Sequence, residues 1–330
     1  MTMIEERPST TTAAPADQKV ERLNTASVKR VIEPEDRFAW ADMTKGQVIP
    51  DALLSVAGLP EVMARLTPEQ KALLSREETA AMLSTGVMFE ATLCAGFMWQ
   101  IATGNSSDIG DPRVVYMLHE VGEETRHSRA FIRVVQELSP TAKNPLANPV
   151  FKAIEKRMLP VLLKNPALLA TMILAGEEIP DLLQKLASEH PETDAVLASV
   201  NKYHRQEEAR HLAFARLTVG ELWQTASRRE KARIKYMAPT MIDGLFDTFV
   251  HPGVYATVGL PTWKTWRAAN QTPERKAVKY AAIRPIVKAL LDGNVLKKGR
   301  IPKGWQQVAG VDANGVALPE LPTLESVGLQ

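Results

Sequence analysis

The chain is poor in the residues that signal many common functions. It holds one cysteine, Cys94, in 330 residues. A disulfide within the chain and a cysteine-based zinc site are therefore excluded, and the usage suits a reducing, cytoplasmic setting. Neither GxGxxG nor GxxxxGK[ST] occurs, so no glycine-rich phosphate cradle is present. The net charge is only +2, which makes no general case for nucleic acid or a membrane surface as partner. The longest apolar run, residues 167–176, falls far short of the ~20 residues of a membrane helix. Residues 1–20 carry acids, prolines and threonines but no apolar stretch, and read as a flexible leader instead of a signal peptide. Strand-like alternation is scarce throughout.

What is present is helical periodicity. Thr67-Pro68-Glu69-Gln70 opens a helix, and a long apolar helix follows from about Arg76 to Thr103. The loop 104–112 ends it, and Asp111 caps a second long helix running to about Leu138. After a Pro/Asn linker (139–149) come a shorter helix near 150–163, a third long helix near 166–189 and a fourth over about 191–225. Further helices are predicted over 231–249 and 273–291, with a loop or docked turn at 251–261. Residues 296–330, rich in Gly and Pro, read as an irregular tail whose basic stretch is solvated. The expected organisation is a single helical domain over 21–295, with its four long helices between about 76 and 225.

Two words in this pattern carry chemistry. "GEETRHSRAF" (122–131) and "QEEARHLAFA" (206–215) both contain Glu-Glu-x-Arg-His, and they take two of only six histidines. Residues three apart share a helix face, so Glu124 and His127 point the same way, as do Glu208 and His211. Each word follows a helix with an acid inside an apolar run: Glu90 in "VMFEATLCAGFMW", and Glu177 or Glu178 in "TMILAGEEIP". An isolated carboxylate in such surroundings costs many kcal/mol unless a positive charge pairs with it. Four carboxylates and two imidazoles meeting in a bundle core form the cage that ferritin-like proteins use for paired iron or manganese. Two divalent ions would neutralise the four acids. The expected fold is therefore all-α, a ferritin-like four-helix bundle with a dinuclear metal site and flanking helices.

His204 lies four residues before Glu208 and seven before His211, in one narrow arc of the helix, and is read as a third histidine on the metals. Glu120 holds the equivalent place in the first word, either as a supporting acid behind the ligands, the reading preferred, or as a solvated one. Glu123 and Glu207 either accept from the metal histidines across the bundle or pair with Arg126 and Arg210. Phe97, Met88, Met98, Phe131 and Leu174 are expected to surround a dry site, each as core in preference to a substrate contact, and Cys94 to be a small core residue.

The repeated [D/E]-E-x-R-H word resembles the diiron-carboxylate proteins. With the H-x-x-x-E-x-x-H spacing, it most resembles the non-haem diiron arylamine N-oxygenase family, typified by the p-aminobenzoate N-oxygenase of aureothin biosynthesis. The likeness covers roughly residues 75–225. It implies a metal ligand set of Glu90, Glu124, His127, Glu177, His204, Glu208 and His211, with Glu177 preferred to Glu178. It implies two Fe ions as cofactor (Mn or mixed Mn/Fe as variants), O₂ as co-substrate and oxidation of an aromatic amine towards hydroxylamine and nitro products. Partners expected are a small aromatic substrate, an external electron donor or reductase, and a second copy of the chain in a homodimer. Phe131 and Ala215 stand four residues after the two histidines, where a radical-generating reductase subunit resembles a tyrosine-bearing pattern. Competing readings are a diiron oxygenase or oxidase acting on a lipid or other hydrocarbon, a manganese catalase-like enzyme, and a non-enzymatic metal-binding protein.

Overall fold

In a computed structural model, residues 15–29, 31–104 and 108–329 are described; the rest of the expected leader and of the loop after the first long helix lies outside them. Among the described residues there are twelve α-helices and no named strand. The bundle is built by α3 (Pro68–Ala102), α4 (Pro112–Leu138), α6 (Pro166–Glu189) and α7 (Ala195–Thr225). Before it lie α1 (Pro15–Lys29) and α2 (Pro60–Met63). Between its halves runs α5 (Pro149–Leu163), and after it come α8 (Arg228–Tyr236), α9 (Ala238–Thr248), α10 (Thr262–Ala269), α11 (Pro273–Asp292) and α12 (Lys303–Ala309).

Local chemistry explains the helix starts. Thr67 and Gln70 form a reciprocal capping box with Pro68 in the first turn of α3. The α4 cap is Asp111, which accepts from the Arg113 N–H at 2.8 Å, and the α7 cap is Asp194, which accepts from the Leu197 N–H at 2.9 Å. At the start of α6, Asn165 makes no side-chain cap. Glu230 of α8 takes that role, accepting from the N–H groups of Ala167 and Leu168 at 2.7 and 3.2 Å.

Four expectations need correcting. The capped turn at Thr67 and the long apolar helix are one 35-residue helix, because the box starts a chain with no breaker before Thr103. The helix expected over 231–249 is two, α8 and α9, divided at Met237; Pro239 has no N–H and begins a new helix. Residues 15–20 of the expected leader belong to α1, whose Val20 is fully buried in a helix packed on α4 and α7. The C-terminal segment is docked instead of a loose tail, although the Lys297, Lys298, Arg300 and Lys303 side chains of its basic stretch are exposed: α12 buries Trp305 completely, and its Nε1–H donates to the Ile234 carbonyl at 3.0 Å. By length and composition α3 is also apolar enough to cross a membrane, a property that the run 167–176 alone did not reveal.

The core has two apolar clusters, one towards each end of the bundle. One takes Leu93, Phe97, Met117, Ile173, Leu212 and Phe214; the other takes Leu74, Leu83, Phe131, Val134, Leu197 and Val200. Between them every long helix turns polar, at Glu90, at 120–127, at Glu177 and at 204–211. The site is a polar waist held shut by apolar packing above and below.

Candidate metal centre

All seven residues expected as ligands meet in that waist, and all are buried. Three overlapping groups bring their donor atoms within 4.8 Å of one another: Glu124, His127, Glu208 and His211; Glu90, His127 and His204; and Glu120, Glu124, Glu177 and His211. Glu124 and Glu208 span two positions. Glu208 sets Oε1 3.1 Å from His127 Nδ1 and 3.2 Å from His204 Nε2, while its Oε2 lies 3.0 Å from His211 Nδ1. Glu124 sets Oε2 3.3 Å from His127 Nδ1 and Oε1 3.0 Å from His211 Nδ1. On one side the set is completed by Glu90 and His204, on the other by Glu177 and Glu120.

The histidines are oriented crosswise. His127 Nε2 faces Glu207 at 2.9 Å, and His211 Nε2 faces Glu123 at 2.8 Å, so each ring can donate from Nε2 and present its Nδ1 lone pair inward. Behind those acids, Arg210 Nη2 lies 2.9 Å from Glu123 and 3.6 Å from Glu207, and Arg126 lies 3.7 Å from Glu207. Both roles considered for Glu123 and Glu207 are thus filled at once. His204 is held by its other nitrogen: Nδ1 donates to Gln184 Oε1 at 2.7 Å, leaving Nε2 aimed at Glu90 and Glu208.

Adjacent acids on α6 part company. The Phe89 ring lies against Gly176, where a Cβ would come within 1.6 Å of it, and this contact helps set how α6 is turned. Glu177 then faces the cluster, while Glu178 accepts from Arg216 Nε at 2.9 Å. Glu120 was expected to be no more than a supporting acid, yet it joins the cluster itself, fully buried. Its signal was present in the sequence, since it sits four residues before Glu124 as His204 does before Glu208.

Electrostatics shows how crowded the waist is. Burial raises the Glu90 carboxyl, and Glu124 adds to this against His204 and His127. Glu177 goes well above its ordinary value through burial and the neighbouring Glu208. Glu120 is pushed up to about 8 by burial and nearby carboxylates. Burial alone would lower His127 and His211, but the carboxylates around them raise both well above the ordinary value. Glu123 withstands its burial and is held at about 2 by His211 and Arg210.

The donor set fits a pair of hard cations. Buried Glu120 Oε1 and Oε2, Glu124 Oε1, Glu208 Oε1 and His204 Nε2 have no hydrogen-bond partner among the described residues. Several lie near an imidazole nitrogen yet are misaligned for hydrogen bonding, because these atoms point at shared points in space. Buried polar atoms are normally satisfied, so such a convergence marks a place for something positive. Carboxylate oxygens with imidazole nitrogens suit iron or manganese.

A narrow cleft reaches Glu90, Glu177 and His204, and is lined by Met82, Phe89, Phe131 and Phe249 among others. Of the residues expected to line the site, only Phe131 does. Met88 and Met98 are 59 % and 47 % exposed on the opposite face of α3, Phe97 borders a separate cavity, and Leu174 is fully buried core. Helical spacing placed them near Glu90 in sequence without saying which way each turns. Cys94 is half-buried one turn from Glu90, and burial pushes its thiol up to about 12.

Among curated proteins none matches the chain. Solved structures of R2-like ligand-binding oxidases resemble it. One with an aerobically reconstituted Mn/Fe cofactor has 15% identity and a TM-score of 0.46, covering 85% of this chain and 94% of that one. Another, also aerobically reconstituted with Mn/Fe, has 16% identity and a TM-score of 0.46 over 87% and 98%. A third, anaerobically reconstituted, has 14% identity and a TM-score of 0.47 over 88% and 95%. The family model for the p-aminobenzoate N-oxygenase AurF matches residues 14–292, a span that holds the whole polar waist. The waist gathers the carboxylate and imidazole donors that could hold a metal pair, and this chain is an oxidoreductase of the AurF p-aminobenzoate N-oxygenase family.

Proposed function

We propose that the protein is a diiron oxygenase that inserts oxygen at the nitrogen of an aromatic amine, towards the hydroxylamine and nitro products. Glu90, Glu124, His127, Glu177, His204, Glu208 and His211 would hold the two ions, with Glu120 a further donor beside Glu177. When bound, the reduced metal pair supplies electrons that activate O₂. The chain's own residues do the rest. Glu123 and Glu207 keep the His211 and His127 rings in one tautomer, and Gln184 does so for His204. Arg126 and Arg210 offset the charge of the outer acids. Phe89, Phe131 and Phe249 give the cleft an apolar wall that excludes water and suits a flat aromatic ring.

The observation that carries the amine reading is the cleft over Glu90, Glu177 and His204. Its lining has three phenylalanine rings and no Lys or Arg, which suits a neutral arylamine with a free nitrogen lone pair. The electron donor is external, since no described residue offers a second redox centre. One cysteine in the chain is in keeping with work in the cytoplasm.

The test is to load the purified protein with iron, reduce it without oxygen, then add O₂ with a panel of arylamines and identify products by mass spectrometry. Hydroxylamine and nitro products that vanish in Glu124→Ala and His211→Ala support the reading. Oxidised lipid or hydrocarbon with untouched amine would replace it with a hydrocarbon oxygenase. O₂ release from peroxide by manganese-loaded protein would replace it with a catalase-like enzyme.

A further inference from the structure

A second cavity lies apart from the amine cleft, and no residue lines both. The two approach the waist from opposite ends of the bundle. On α3 the cleft takes residues within 82–90 and the cavity residues within 97–100; on α6 the cleft takes 176–184 and the cavity 166–173. On α4 and α7 the same division holds, with Phe131 and His204 in the cleft and 113–117 and 214–222 in the cavity. Phe97, Met117, Leu169, Ile173 and Phe214 form the buried wall of the cavity, and the Phe97 and Phe214 rings meet edge to face at 6.4 Å. Its inner end stops one helical turn short of the metal donors. Met117 comes three residues before Glu120, Ile173 four before Glu177, and Phe214 three after His211.

An open acceptor and a matched charge state what this cavity takes. Gln100, in its wall, is 5 % exposed, and its Nε2 donates to the Leu163 carbonyl at 2.8 Å. A carbonyl only accepts, so this bond fixes the amide and leaves Oε1 for another partner. Oε1 is buried and has no hydrogen-bond partner among the described residues, and no other residue in the wall keeps such an atom. A buried acceptor left bare is costly, which calls for an O–H or N–H beside it. At the mouth, Arg113 donates from Nε and Nη2 to Glu221 at 2.9 and 2.8 Å. Its Nη1 donates to Asp17 at 2.6 Å and to Asp111 at 3.2 Å. Three acids thus face one cation, so a carboxylate or phosphate would meet repulsion there. The Thr218 hydroxyl is turned onto the Phe214 carbonyl at 2.9 Å and asks for nothing from a ligand.

We propose that this cavity is a second ligand site, for a small uncharged molecule of the phenol class whose apolar ring packs against Phe97 and Phe214 and whose O–H donates to Gln100 Oε1. Met117, Ile173 and Phe214 stand between the occupant and the donors of the waist, so it binds without touching the metals. The site needs neither O₂ nor an amine, and its test is independent of the reaction proposed above.

Isothermal titration calorimetry of the full-length, iron-loaded protein tests this with 4-ethylphenol and with ethylbenzene, which has the same body without the hydroxyl. The phenol is expected to bind the tighter by about 5- to 10-fold, the worth of one neutral hydrogen bond. Gln100→Met should remove that preference while ethylbenzene still binds. Ala170→Phe in the wall and Thr218→Leu nearer the mouth fill the cavity by separate routes. Each should weaken both ligands by about 10-fold or more through lost apolar burial, with helicity and metal content as in the parent. Met82→Trp, which narrows the amine cleft, should leave binding unchanged. Failure of both ligands to bind would mean that water alone satisfies Gln100 and would overturn the proposal. So would equal affinity for the two in the parent, indifference to both filling variants, or loss of binding in Met82→Trp. A visible phenolate-to-iron absorption on adding the phenol would place it on the metals and overturn the proposal as well.

Discussion

The candidate metal centre has two halves built from the same word, and their donor residues differ at one place. In both, an acid from the preceding helix, an EExRH glutamate and its histidine converge, and the histidine's outer nitrogen is met by the other half's extra glutamate. Where the second half places His204 the first places Glu120. One group of donors therefore has two imidazoles with Glu90, and the other has one imidazole with Glu177 and Glu120. A repeated word gives a pair of sites, and a single substitution in that repeat makes the pair unequal. The imidazole-rich side is also the one with Gln184 to orient its ligand, while Glu120 has no hydrogen-bond partner among the described residues.

The largest effect is expected where the halves are joined. Glu124→Ala or Glu208→Ala removes a donor from both positions, and metal content by elemental analysis should fall from about two ions per chain to near zero in either variant. If one of the two retained both ions, that glutamate would not span the pair.

The inequality is tested next. His204→Ala should weaken one ion by about 100-fold or more in a stepwise metal titration and leave the other in place, whereas Glu120→Gln should disturb binding on the opposite side and by less. Equal losses would mean that the halves are equivalent despite their residues. The crosswise pairing predicts smaller and matched effects. Glu123→Gln and Glu207→Gln should each lower metal affinity or turnover by roughly 10- to 100-fold, acting on the histidine of the other half. A variant that loosened only its own half's histidine would break the crossed arrangement.

The smallest effect lies outside both halves and marks what an acid does there. Glu78 is buried, accepts from the Ser55 N–H at 2.8 Å and from its hydroxyl, and burial pushes its carboxyl up to about 7. An acid raised on folding binds a proton more tightly in the native state than in the unfolded chain. Stability should therefore fall as pH rises from about 4.5 to 7 and level off above that. Glu78→Gln should remove the decline, with a gain at pH 8 of up to about 3 kcal/mol. Thermal unfolding of both proteins across this range measures it, and parallel curves would refute it.

Much of this was legible beforehand because helix geometry is local. The caps at Thr67 and Asp111 and the prolines that follow them mark helix starts by chemistry that needs no distant partner, whereas the fourth long helix, expected from about 191, begins only at Ala195 behind its Asp194 cap. Glu124 with His127 and Glu208 with His211 share a face by spacing alone. The misreadings came from long-range packing. Residues 15–20 look solvated until α1 is seen lying on α4 and α7, and the segment after 296 looks loose until Trp305 is seen filling the core. Met88 and Met98 look like pocket lining because apolar residues near a buried acid are ordinarily inward, yet they occupy the other side of α3.

The amino-acid order alone determined that four helices would each carry a carboxylate or imidazole at mid-length, because 3.6 residues per turn converts spacing into direction. It also determined that these groups would need compensation, since an ionised carboxylate in an apolar run must be paired, hydrogen-bonded or neutralised. Only the tertiary structure decided which groups meet. Glu177 and Glu178 differ by about 100° around one axis, and the packing of Phe89 on Gly176 and the reach of Arg216 choose between them. Glu207 finds His127 and Glu123 finds His211 because α4 and α7 lie side by side, a relation between distant segments that no local spacing encodes.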